Sequence, residues 1–263
     1  MCCFTELVER VSDTSIFARA VDGRQILAYE MTYAAQSELA MVLPLPVPPG
    51  SPEDALRFIS LEACPDFFEQ LRDGFPRLSG TDLSLGGGEA RATDIGMTLD
   101  VVEVGSFEAS FVPRPEDFAR LDERFRLPAD LWLKLNFYRD WGFAVFKLKR
   151  AAEGLRVHPM AFEFPRRDRS RLFFPTLHIH HRSVDPEALF DHDLYCQPEP
   201  AMNWHLQGWA ESYAAVRRFM RCKEGLALFE PDAPVWRLEI GGLRENADTW
   251  LGRGGRIPAE MAA

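Results

Sequence analysis

The sequence has no long basic stretch, and its overall charge is acidic. It contains 30 Lys and Arg residues against 40 Asp and Glu, a formal net charge of −10. Nucleic-acid-binding proteins neutralise phosphates with clustered Lys and Arg side chains. The one short basic segment, residues 166–171, is typical of a solvated turn. We therefore expect no nucleic-acid partner.

Long apolar segments are also missing. Residues 4–16 are interrupted by Glu6, Glu9, Arg10 and Asp13, unlike the apolar centre of a signal peptide. No later segment reaches the roughly 18 apolar residues that a membrane span requires. The sequence therefore predicts a cytoplasmic protein that does not enter the membrane. Its 46% hydrophobic content is typical of a folded protein with a substantial core.

Cysteines are few, and their spacing is irregular. The five are Cys2, Cys3, Cys64, Cys196 and Cys222. An odd number without regular spacing does not match a disulfide framework, so we expect them to be reduced. Cys64 and Cys222 stand in apolar, helical-looking segments, which predicts that they are buried packing residues.

Strand signals dominate the chain. Asp22-Gly23 between residues 15–21 and 24–33 is a hairpin signature, because this dipeptide accepts the positive φ angles of a tight turn. Alternation and apolar runs predict further strands at 39–43, 98–104, 107–112, 142–148, 155–164, 172–180 and 235–240. Apolar spacing and proline with acidic residues predict helices at 55–61, 67–71, 128–138 and 211–228, and the start of a short helix at 115–117.

These elements predict one α+β domain over residues 1–263. The domain should be predominantly β, with antiparallel sheets or a sandwich and helices inserted between groups of strands. The glycine-rich segment near 79–96 reads as a flexible loop, and residues 252–263 as a frayed tail.

The first two thirds of the chain resemble a bacterial domain-of-unknown-function family. Its exported members begin the mature chain with a Cys-Gly-Gly-Phe-like sequence and carry a "VVPVP"-like strand end. The corresponding segments here are Cys2-Cys3-Phe4 and Met41-Val42-Leu43-Pro44-Leu45-Pro46, and the similarity continues through residues 142–148 and 157–160. This resemblance implies a β-rich fold and draws attention to Cys2. The family brings no established activity.

Histidines are concentrated in one segment. On a strand, His178 and His180 share a face with β-carbons about 6.5 to 7 Å apart, while Leu177 and Ile179 point into the core. His192 and Cys196 follow after a turn. If this segment is a helix, His192 and Cys196 face the same way and both could bind a metal together with the histidine pair. If it is a strand, they lie about 13 Å apart and only one of them could do so.

Imidazole and thiolate ligands fit zinc or copper better than magnesium or calcium. The leading hypothesis is therefore a metal-binding protein or a metalloenzyme, with ligands from His178, His180, His192, Cys196 and Cys2. The same histidines also fit a hydrogen-bonded polar cluster or acid–base catalysis without metal.

Cys2 carries three interpretations. If Met1 is removed, its thiol is a candidate catalytic nucleophile and its α-amine a proton acceptor, which predicts a thiol hydrolase or amidase with His178 or His180 as the orienting base. Cys2 also fits a metal ligand, or a small apolar residue that packs the terminus. The remaining hypothesis is a non-catalytic β-rich module that binds a small molecule or a protein.

Overall fold

Strands make up most of the structure, a computed structural model that describes residues 2–75, 102–104, 107–180, 183–200, 206–252 and 255–257. The strands are β1 Cys2–Phe4, β2 Arg10–Val21, β3 Arg24–Ala35, β4 Leu39–Leu45, β5 Arg57–Ile59, β6 Val102–Val104, β7 Phe107–Val112, β8 Gly142–Leu148, β9 Ala151–Arg156, β10 Met160–Pro165, β11 Leu172–Phe174, β12 His178–Ile179, β13 Glu187–Gln197, β14 Ala210–Glu211, β15 Trp236–Glu245, β16 Thr249–Gly252 and β17 Gly255–Ile257.

Helices in the described residues are short and lie between groups of strands. The α-helices are α1 Phe67–Asp73, α2 Ala129–Lys134 and α3 Lys223–Leu226, and the 3₁₀ turns are Pro115–Arg120, Glu123–Phe125, Asn136–Tyr138 and Val216–Arg218. The predicted class is confirmed as α+β and predominantly β. No helix in these ranges is long and apolar enough to cross a membrane.

Two large sheets and one small sheet organise the strands. A six-stranded sheet has the order β12-β1-β4-β8-β7-β6. An eight-stranded sheet has the order β14-β15-β13-β2-β3-β10-β5, and β9 also pairs with β3. The third sheet has the order β11-β16-β17.

The predicted hairpin forms the middle of the eight-stranded sheet. Asp22 and Gly23 have φ angles of 48° and 80°, and β2 and β3 pair in antiparallel register on either side of them. These are the positive φ values of a tight hairpin turn, whose twist matches that of the strands. The local sequence therefore determines this register.

Apolar side chains fill three layers. Between the large sheets, Leu27 and Tyr29 of β3 meet Met41 and Leu43 of β4 and Phe146 of β8. The other face of the six-stranded sheet is covered by residues 118–141, and the other face of the eight-stranded sheet by α1 and residues 216–235. Central strands such as β4 are thus buried on both faces.

Several predicted elements differ in the structure. The helix predicted at 55–61 is wrong: Phe58 lies on β5, and its ring packs against Phe146 and Phe162 at 5.7 and 6.3 Å. Pairing with β10 outweighs the local helix signal. The long helix predicted at 211–228 is also wrong, because Val216, Phe219 and neighbouring apolar residues reach the sheet from short turns.

Other predictions need smaller changes. The strand predicted at 155–164 is divided into β9 and β10, and that at 172–180 into β11 and β12. The loop predicted near 79–96 lies outside the described residues, and so does most of the tail predicted at 252–263. A single domain for the whole chain remains a prediction.

Candidate functional site

Three imidazoles pack together at the end of the core between the large sheets. His178 is on β12, His180 follows it, and His192 is on β13. The ring of His178 lies between the other two, with both centroid distances 4.9 Å and interplanar angles of 26° and 29°. The Nε2 atoms of His178 and His192 are 3.3 Å apart and share a hydrogen bond. The prediction that His178 and His180 share a face is therefore confirmed.

The chain terminus lies beside this histidine cluster. Strand β1 runs parallel to β12, with Cys2 in register with His178, and the ring of Phe4 is 5.8 Å from that of His180. The backbone of the terminus and that of the histidine strand are therefore adjacent. The side chains of Cys2 and His181 lie outside the described structure.

Buried polar groups fix the backbone around His178. Its N–H donates to Asn246 Oδ1 at 2.7 Å, and Asn246 Nδ2 donates to the carbonyls of His178 and Asp185 at 2.9 Å. Asp248 accepts the N–H of Thr176 and of Leu177, at 2.9 and 3.0 Å, and the hydroxyl of Tyr138. These contacts hold β12 against the segment that follows β15.

His178 and His192 are both held in the neutral form by their surroundings. Burial, the His180 imidazole and the chain's terminal amine together lower the pKa of His178 to about 3. Burial lowers the pKa of His192 well below its ordinary value, with further contributions from His178, the terminal amine and His180. Burial disfavours an imidazolium at these positions, even with Oδ1 of Asp191 3.7 Å from Nδ1 of His192. His178 is therefore a weak proton acceptor.

The predicted zinc or copper protein is contradicted. A zinc site takes three protein ligands with an open position, or four without one. No group of three or more His, Cys, Asp or Glu side chains converges in the described part of the chain. Two imidazole nitrogens meet, but the third ring, that of His180, is stacked on His178.

Cys196 is separated from the histidines by the geometry of its strand. Residues 187–197 form β13, so His192 and Cys196 lie four residues apart on one face rather than one helical turn apart. Cys196 is fully buried in the core, and burial raises the pKa of its thiol well above the ordinary value. The side chain of Cys196, predicted as a metal ligand, instead packs in the apolar core.

A disulfide joins Cys64 to Cys222. The prediction that these cysteines are reduced is therefore wrong, although Cys64 is fully buried as expected. The bond ties the segment before α1 to the segment before α3, and both cover the outer face of the eight-stranded sheet. Sequence spacing did not indicate this bond, because the partners are 158 positions apart.

The structure reveals a second feature, an exposed apolar pair on the opposite face of β13. Leu189 and Leu243 stand directly opposite each other on β13 and β15, with relative exposures of 73% and 68%. Side chains alternate along a strand, so Phe190 and His192 point inward while Leu189 points outward. We call the exposed surface of Glu187, Leu189, Asp191, Leu243 and Glu245 the leucine face.

Carboxylates surround this leucine pair. Glu187 and Glu245 are directly opposite each other on one side, and neither has an ion-pair partner among the described residues. On the other side Asp191 is in register with Gly241. Burial raises the pKa of Asp191, with Asp13 and Asp193 adding to the effect. The leucine face is therefore both apolar and anionic.

The same face continues to an open strand edge. Strand β14 pairs with β15 at Arg237 and Trp236, and within the described residues no strand pairs with that edge from Leu238 to Glu245. A groove of about 280 Å³ lies at the end of β14, lined by Phe75, Gly208, Ala210, Arg237, Leu238 and Glu239. The groove thus lies at one end of β15, and Leu243 and Glu245 of the leucine face lie further along the same strand.

Similarity to known proteins does not identify a family for this chain. No family model matches the chain, and no curated protein matches it. The crystal structure of baculovirus P35 aligns with a TM-score of 0.41 and 11% identity, covering 93% of this chain and 97% of that chain. The crystal structure of the caspase-8/P35 complex aligns with a TM-score of 0.40 and 11% identity, covering 92% and 96%. At this similarity nothing about function follows, and the resemblance to the bacterial family stays a prediction.

Proposed function

We propose that this chain is a non-catalytic protein-binding module that captures an extended segment of another protein along β15. The main support for this proposal is the pairing of β15. One edge of the strand pairs with β13 over its whole length, whereas the other edge pairs with β14 at only two residues. An open edge presents unpaired N–H and C=O groups, and an added strand satisfies them. The main-chain hydrogen bonds supply affinity, and the adjoining face supplies selectivity.

The leucine face supports this proposal because it adjoins the open edge. Natural proteins protect exposed edges with charged side chains or irregular backbone. Here Gly242 has a φ of 83° and Glu239 and Glu245 are charged, yet Leu189 and Leu243 remain exposed as a pair. Burial of an exposed leucine stabilises a complex by about 1.5 to 3 kcal/mol. An apolar pair at this position favours docking.

Binding of extended peptides tests the proposal. Three fluorescent decapeptides are used, in which valine alternates with threonine, lysine or glutamate, and anisotropy reports binding. We expect at least one to bind, and L189S/L243S to weaken that binding at least about tenfold. The control L133S alters an exposed leucine on α2 and should bind as the wild type does. Failure of all three peptides would refute the proposed function.

A second candidate function rests on the register of Cys2 with His178. If Met1 is removed, the thiolate of Cys2 would attack an activated acyl carbonyl, a thioester would form and the alcohol or amine would leave. It ranks second because the lowered pKa of His178 makes that imidazole a weak base. Mass spectrometry after incubation with p-nitrophenyl acetate tests it: an acetyl group on Cys2, absent in C2A, is the expected result, and an unmodified Cys2 would refute it.

The disulfide supports a proposal about the compartment. Disulfides persist in oxidising environments and are rare in the cytosol. We infer that the chain works where Cys64 and Cys222 stay oxidised, in place of the cytoplasmic location expected from the sequence. Alkylation of cell extracts before and after reduction would show this, with two additional thiols appearing on reduction.

A further inference from the structure

From the charges around β15, we propose that the segment captured there is a basic strand in which apolar side chains alternate with Lys or Arg. This inference rests on the proposed function and specifies its partner. Side chains of an added strand alternate between the two faces of the sheet. Those on the outer side would lie across the leucine face, and their chemistry must match it.

Apolar partners are required at the centre of the face. Leu189 and Leu243 form a cross-strand pair, and an added strand beside β15 would place a residue next to Leu243 on the same face. A polar residue there would leave both leucines in water. An aliphatic side chain would cover them, and this requirement holds whatever the charge of the partner.

Basic partners are required at both ends of the leucine pair. Glu187 and Glu245 are opposed like charges, an arrangement that destabilises a bare sheet and is relieved by a cation. At the other end, Asp191 lies beside Asp13 and Asp193, and its N–H donor is the backbone of Asp13 at 2.8 Å. The leucine face thus offers carboxylates two residues before and after its apolar centre.

Two arginines of β15, Arg237 and Arg244, lie near the face and already have partners. Arg237 contacts Asp193 at 2.9 Å and Glu239 at 2.6 Å, which neutralises the carboxylates closest to the groove. Arg244 stands opposite Ala188, on the other face, and its Nε donates to the carbonyl of Gly241 at 2.9 Å. Neither arginine reaches Glu187 or Glu245 within hydrogen-bond distance. The chain's net charge of −10 adds long-range attraction for a cationic segment.

Competition among the three decapeptides tests this partner chemistry. We expect the valine–lysine peptide to bind at least about tenfold more tightly than the valine–glutamate peptide at low salt, because like charges repel on this face. The variant E187Q/E245Q keeps the shape and should lose about fivefold in affinity for the lysine peptide alone. Its affinity for the threonine peptide should not change. Circular dichroism verifies that each variant is folded.

The possible results separate this inference from the proposed function. Equal binding of the lysine and glutamate peptides, with E187Q/E245Q unaffected, would refute the basic partner and leave the binding module intact. A lysine peptide with proline at two central positions cannot complete the strand ladder and should bind at least about tenfold more weakly. If it binds as well as the parent peptide, charge alone holds it and strand addition is refuted. If no peptide binds, both proposals fail.

Discussion

Acid should destabilise this protein through its buried histidines, and His178 allows the effect to be calculated. In the folded chain His178 has a pKa of about 3, against 6.5 for an ordinary histidine. The unfolded chain takes up a proton below pH 6.5 and the folded chain does not, so stability is full above pH 6.5 and is lost as pH falls toward 3. Between pH 7 and 5 the loss is about 2 kcal/mol.

The variant H178Q removes this contribution, together with the effect of His178 on the pKa of His192. It has no titratable group at the position, so its free energy of unfolding should fall by about 2 kcal/mol less than that of the wild type between pH 7 and 5. Buried carboxyls such as Asp248, whose pKa is raised by burial, act equally in both proteins and cancel in the difference. Urea unfolding at the two pH values supplies the numbers. Identical pH dependence in the two proteins would show that His178 is solvated or protonated.

Three further predictions concern stability. Reduction of Cys64–Cys222, or the variant C64A/C222A, should lower the free energy of unfolding by up to about 5 kcal/mol, because the bond closes a loop of more than 150 residues; an unchanged urea midpoint on reduction would contradict the bond. Gly23→Ala should cost about 1 kcal/mol by thermal unfolding, since its φ of 80° is strained for alanine, and no loss would contradict the turn. Tyr138→Phe should cost about 1 to 3 kcal/mol, because buried Asp248 loses a donor, and a neutral effect would indicate that water replaces the hydroxyl.

Local sequence patterns predicted the parts of the fold that local contacts determine. Asp22-Gly23 predicted a hairpin between its two strand-like neighbours, because this dipeptide accepts the positive φ angles that the turn requires. The alternation of residues 177–180 likewise placed Leu177 and Ile179 in the core and the two histidines on the other face.

Contacts between strands that are distant in the sequence could not be predicted from local patterns. His192 contacts His178 because β12 and β13, which belong to different sheets, lie close together in the fold. Leu189 lies opposite Leu243, which is 54 positions away in the sequence. The alternation of residues 187–193 was a usable signal that β13 is a strand with an exposed face. The sequence did not show which strand would lie opposite, and so the leucine face was missed.

Hydrogen exchange of the β15 amides tests strand addition most directly. In a strand paired on one side, alternate N–H groups point outward and exchange with solvent. On saturation with the valine–lysine decapeptide, the outward amides between Leu238 and Glu245 should slow by at least about tenfold, while those of the control strand β7 stay unchanged. If the peptide binds and every amide of β15 exchanges as before, the partner docks on the leucine face without adding a strand, and the proposed mode of binding is wrong.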